Sequence, residues 1–109
     1  VALSRLKKAT YFMKNKDAKA FHEEIIQSIW GYLTDKFGIS NMEMERQSIQ
    51  AKLLQSGQES TTIQTLFEVL DNCEMSLYAN VSDENEWQKT YNNSLAVITE
   101  MEQVILKKQ

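Results

Sequence analysis

The sequence predicts an all-α protein, a compact bundle of about five helices, and three observations carry that prediction. It contains no proline and only three glycines, the residues that punctuate sheets and long loops. No stretch alternates apolar and polar residues with period two over a useful length. Apolar residues instead recur every three or four positions along a chain of 109 residues, the length of one domain spanning 1–109. The hand of helix packing is left open by these patterns.

The first helix is predicted over Ala2–Lys14, with Leu3, Leu6, Thr10 and Met13 on one side. Asn15-Lys16-Asp17 reads as a turn, with Asp17 as the N-cap of the next helix. That second helix, Ala18–Phe37, has the strongest pattern: Phe21, Ile25, Ile29, Leu33 and Phe37 recur every four residues, widened by Ile26 and Trp30. Gly38 stops it, and Ile39 follows as the apolar partner usual at such a stop.

Ser40-Asn41 is a polar start signal for a shorter third helix, with Ile49, Leu53 and Leu54 as its apolar residues and Gly57 as its end. The fourth begins near Thr61 or Thr62, or takes Glu59-Ser60 into its first turn, and carries the stripe Ile63, Leu66, Phe67, Leu70, Cys73 and Leu77. Ser82 is placed to cap the fifth, with Asp83, Glu84 and Glu86 favourable in its first turn and Lys107 and Lys108 at its end. Its inner face is predicted as Trp87, Tyr91, Leu95, Ile98 and Ile105. Helices one and two resemble a tetratricopeptide helix pair, but no second copy follows at a fixed period, so a bundle is expected rather than a solenoid. The expected core is Phe21, Ile25, Ile29, Trp30, Leu33, Leu66, Leu70, Cys73, Trp87, Leu95 and Ile98.

A composition of 42% hydrophobic and 25% charged residues is that of an ordinary folded domain. One cysteine makes no intrachain disulfide, which suits a reducing compartment. No apolar run approaches the roughly 18 residues that span a bilayer. The chain lacks an initiator Met and a signal peptide and opens inside a helical pattern, so it is expected to be a piece of something longer.

The net charge of −3 conceals an asymmetry. Residues 1–19 hold Arg5, Lys7, Lys8, Lys14, Lys16 and Lys19 against Asp17, which is +5 and leaves −8 on the rest. From Leu53 to Gln88 there are seven acids and no Lys or Arg. The basic start has two readings, a solvated helix face or a segment drawn to anionic lipid beside a membrane. Nucleic acid is not expected as a partner, because the acidic remainder repels a phosphate backbone.

His22-Glu23-Glu24 is no metal or acid–base cluster, since neighbours one and two apart on a helix point in different directions and zinc needs further His or Cys. His22 is expected at the helix surface or boundary. Cys73 lies on an apolar stripe, where it packs as a small hydrophobe; Glu74 beside it is either a solvated acid or a buried or capping carboxylate. In Trp30-Gly31-Tyr32-Leu33, a glycine that costs a helix about 1 kcal/mol sits between aromatics. Either Gly31 admits a close helix neighbour while Trp30 packs inside, or Tyr32 is exposed in a partner-binding patch. No catalytic, cofactor-binding or metal site is predicted, and no small-molecule substrate. An acidic interaction face is predicted, formed by Glu68, Asp71, Asp83, Glu84 and Glu86, with Tyr32 and Tyr78 as aromatic anchors.

The run from Asp17 through Ala20-Phe21, Glu23-Glu24, Ile29-Trp30-Gly31-Tyr32-Leu33 and Asp35-Lys36 resembles the C-terminal helical domain of the BatD family of the Bacteroides aerotolerance group. So do Ile39-Ser40 through Leu53 and Gly57, then Leu70-Asp71, Cys73-Glu74 and Tyr78-Ala79. The likeness runs from about residue 3 to 106. It departs where Leu77 replaces an arginine and Asn80 a proline, so the arginine that would pair with Glu74 is absent from that position. The resemblance implies a bacterial domain on the cytoplasmic face of the inner membrane, tethered through the parent chain's spanning helix. It implies a non-enzymatic adaptor in an envelope complex associated with oxygen or stress tolerance, and no cofactor. Its partners would be other proteins of the aerotolerance operon or a MoxR-type ATPase. The competing readings are a freestanding cytosolic helical adaptor and a small redox sensor built on Cys73 with His22 as helper.

Overall fold

The computed structural model describes residues 2–39, 45–79 and 84–107. Among them lie five helices and no strand: α1 (Ala2–Lys14), α2 (Ala18–Phe37), α3 (Arg46–Gln55), α4 (Ser60–Ala79) and α5 (Glu84–Lys107). The all-α bundle predicted from spacing is the observed architecture. Ser40-Asn41, Ser82, Asp83 and Lys108 lie outside the described residues, as do the side chains of Leu3, Arg5 and Glu84.

The helix ends form where the local chemistry requires them. Asp17 closes the α1–α2 turn: its N–H donates to the Phe12 carbonyl (2.9 Å), and its carboxylate accepts from the Ala20 N–H (3.2 Å). α2 stops at Gly38, whose φ of 64° is the left-handed conformation that a Cβ disfavours. The Gly38 N–H donates to the Thr34 carbonyl (3.0 Å) and the Ile39 N–H to that of Leu33 (3.3 Å). The Ile39 side chain turns fully inward, as an apolar residue after a helix stop should. Positive φ recurs in the other two described connections, at Lys16 between α1 and α2 (55°) and at Gly57 between α3 and α4 (90°).

α2 packs against α1, α4 and α5, and α5 packs against α1, α2 and α4, while α3 rests on α4. The α2–α5 pair is thus the centre, flanked by α1 and α4. Phe21 of α2 stacks on Trp87 of α5 with ring centroids 5.4 Å apart, and Leu6 and Ala9 of α1 close the core from one flank. Ile63, Leu66, Leu70 and Cys73 of α4 close it from the other. The whole measures 39 × 25 × 21 Å.

Several expectations are corrected. Leu95 is 37% exposed, and the inward row of α5 is Trp87, Thr90, Ser94, Val97, Ile98 and Met101. Ser94 takes the inward place because its hydroxyl donates to the Thr90 carbonyl (2.8 Å), which satisfies a buried polar group without a partner helix. Leu54 is exposed, so α3 buries only Ile49 and Leu53. Trp30 is half-buried at the margin of the core. Gly31 is exposed, so among the described residues no helix is packed closely over it.

His22 is buried rather than superficial. Its ring meets Phe21 and Trp87 edge-on, and its Nδ1 pairs with the Ala18 carbonyl at 2.7 Å. A carbonyl accepts only, so the proton of the neutral ring sits on Nδ1. Burial lowers the His22 pKa below its ordinary 6.5, partly opposed by that hydrogen bond.

Candidate interaction surface

α4 carries its apolar stripe inward, and the residues between stripe positions necessarily face out. Glu68, Asp71, Met75 and Tyr78 follow one another at spacings of three and four, so they share one solvent-facing row. Met75 is 70% exposed and Tyr78 90%, two large apolar bodies on one helical turn beside two carboxylates. The row therefore offers contact area and negative charge together, the ingredients of a docking face for a basic partner.

Asp71 does not present a bare charge. The Arg46 guanidinium from the start of α3 donates to its Oδ1 (2.6 Å) and lies 4.7 Å from the centre of the Phe67 ring. This exposed pair orients α3 on α4 but adds only about 1 kcal/mol or less to stability. Glu68 is exposed on the same row, and Glu86 is exposed in the first turn of α5. Asp83 and the Glu84 side chain, the remaining predicted acids, lie outside what is described.

Tyr32 is not an exposed anchor. It is 6% exposed, and its hydroxyl donates to Glu102 Oε2 of α5 at 2.6 Å. Burial pushes its pKa upward, and the Glu102 hydrogen bond and charge push it further. On α2 its position falls on the inward side with Ser28, Ile29 and Leu33. Lys36 approaches the same carboxylate at 3.8 Å. Tyr32 therefore pins α2 to α5.

Two further cross-links reach α5, one from the α3–α4 connection and one from the first turn of α4: Gln58 Nε2 donates to the Met101 carbonyl (3.2 Å), and Thr62 Oγ1 to Glu100 Oε2 (2.9 Å). Sequence reading missed all three, because polar residues at inward positions interrupt an apolar pattern without announcing their partners. Met75 was missed too; its phase, off the stripe, was the available signal.

Cys73 is fully buried on α4, as its stripe position predicts. Burial pushes its thiol up to about 12, with the adjacent Glu74 carboxylate adding to the rise. Both effects favour the protonated thiol, the less nucleophilic form. Glu74 is half-buried. Among the described residues, no group of three or more His, Cys, Asp or Glu side chains is placed to hold a metal ion. No described helix is long and apolar enough to cross a membrane. No known protein family, curated protein or solved structure matches the chain.

Proposed function

We propose that this chain is a non-enzymatic protein–protein interaction domain that uses the outer row of α4 to receive a basic partner. The observation that carries the reading is the exposure of Met75 and Tyr78 on the row that also bears Glu68 and Asp71. Aromatic and methionine side chains are enriched where interfaces bury apolar area, and acids around them steer a basic partner's approach. The resemblance to the BatD family supplies the setting: a membrane-tethered adaptor on the cytoplasmic side, in an envelope complex concerned with oxygen or stress tolerance. In that setting the partners are a MoxR-type ATPase or other proteins of the same operon. The anchored reading requires a spanning segment encoded ahead of residue 1, which a freestanding adaptor lacks.

The test is binding of this domain to the purified soluble domains of such an operon. Glu68→Lys with Glu86→Lys should slow association, most at low salt. Tyr78→Ala and Met75→Ala should speed dissociation. Association and dissociation rates unchanged by all four substitutions would refute the assigned surface.

A further inference from the structure

We infer that the outer face of α1 is a docking surface for an anionic lipid bilayer, separate from the α4 row. Ser4, Lys7, Lys8, Tyr11 and Lys14 follow one another at helical spacings and all are exposed, opposite the buried Leu6 and Ala9. No acid occurs anywhere in α1. Lys16 in the following turn and Lys19 at the start of α2 extend the exposed basic area. The acids nearest in sequence are Asp17, whose carboxylate accepts from the Ala20 N–H, and Glu23, exposed one turn beyond Lys19. In the middle of the lysines stands Tyr11, 65% exposed and set edge-on to Phe12.

The shape of this surface favours a bilayer over other polyanions. The face is the convex side of a helix, with Lys7 to Lys14 spread over about 10 Å of its length. A flat sheet of headgroups meets such a line of flexible lysines tangentially, and the amphipathic tyrosine ring suits the headgroup boundary. Each lysine held near an anionic leaflet adds roughly fivefold to binding. A bilayer tangent to α1 also keeps its distance from α4, since α1 and α4 flank the α2–α5 pair on different sides. A nucleic acid or an acidic protein would have to satisfy the same lysines without the bilayer's unlimited plane of charge. The inference stands whether or not α4 binds a protein, and needs no kinship to the aerotolerance proteins.

The experiment is co-sedimentation of the chain with phosphatidylcholine vesicles, with and without phosphatidylglycerol. The expected result is binding to the anionic vesicles alone, released by rising salt, and weakened at least about a hundredfold by Lys7→Glu/Lys8→Glu/Lys14→Glu. Tyr11→Ala should weaken it several-fold and Tyr11→Trp preserve or strengthen it. Lys89→Glu, which removes an exposed lysine from α5, should leave it within about twofold of the parent. Circular dichroism checks that each variant is folded. The inference is overturned by equal binding to both vesicle types or by binding to neither. Retention by duplex DNA without vesicle binding, or a Lys89→Glu loss as large as that of Lys8→Glu, also overturns it.

Discussion

Replacing Tyr32 by phenylalanine removes one oxygen atom and separates a structural role from a surface role. Tyr32 is buried, and its hydroxyl donates to a partly exposed carboxylate at 2.6 Å. Hydrogen bonds to charged acceptors contribute about 1.5–3 kcal/mol. The Glu102 side chain is 36% exposed, so water recovers part of that once the hydroxyl is gone. Tyr32→Phe should therefore cost about 1–2 kcal/mol, read as a lower urea midpoint at constant slope. For a domain of this size each kcal/mol moves the melting temperature by about 4–8 °C. Glu102→Gln keeps an acceptor and should cost less; the double variant should show coupling of about 1 kcal/mol. There is also a pH signature. An unfolded tyrosine ionises near 10, whereas the folded one resists, so the stability from this group is complete below pH 10 and declines as pH rises above it. The difference between parent and Tyr32→Phe should shrink over that range. Stability of Tyr32→Phe within about 0.3 kcal/mol of the parent, with partner binding lost instead, would show that the hydroxyl serves a partner rather than the fold.

Two further outcomes follow from buried titratable groups. His22 has a folded pKa below 6.5, so its contribution is complete above 6.5 and falls as pH drops through the lower folded value; His22→Phe should flatten that acid-side slope in chemical denaturation, and an unchanged slope argues against a buried neutral ring. Cys73 should react with a thiol reagent only as fast as the bundle opens, and immediately in urea; burst labelling of the folded protein would contradict its position.

What the sequence made legible was what periodicity encodes. The α2 stripe from Phe21 to Leu33 and the α4 stripe from Ile63 to Cys73 were readable because a large apolar residue or the cysteine recurs at every helical turn, even where His22 and Ser28 also turn inward on α2. The stops at Asp17 and Gly38 were readable because each residue type has a specific backbone use. α5 was misphased at Leu95 because Thr90 and Ser94 turn inward, and a polar residue that satisfies itself within its own helix leaves no mark on an apolar pattern. Tyr32 was misjudged for a related reason: an amphipathic ring next to a glycine suits a surface or a core, and only Glu102, seventy positions away, decides between them. The candidate surface was half legible. Its charge was evident, whereas Met75 became evident only once the inward row of α4 was fixed.

The central place of α5 has a consequence for how this chain is made. α1 packs on α5, the last of the five helices to leave the ribosome, and Tyr32, Gln58 and Thr62 find their acceptors at Glu102, Met101 and Glu100 in turn. The α1–α2 hairpin can form early from local contacts, as N-terminal segments generally do during synthesis. Until residues near 100 emerge, however, the faces of α1, α2 and α4 destined for α5 remain uncovered. Folding of this bundle is accordingly completed after translation of α5 rather than progressively, and a nascent chain stalled before Met101 should be captured by chaperones that a chain stalled well beyond Lys107 escapes.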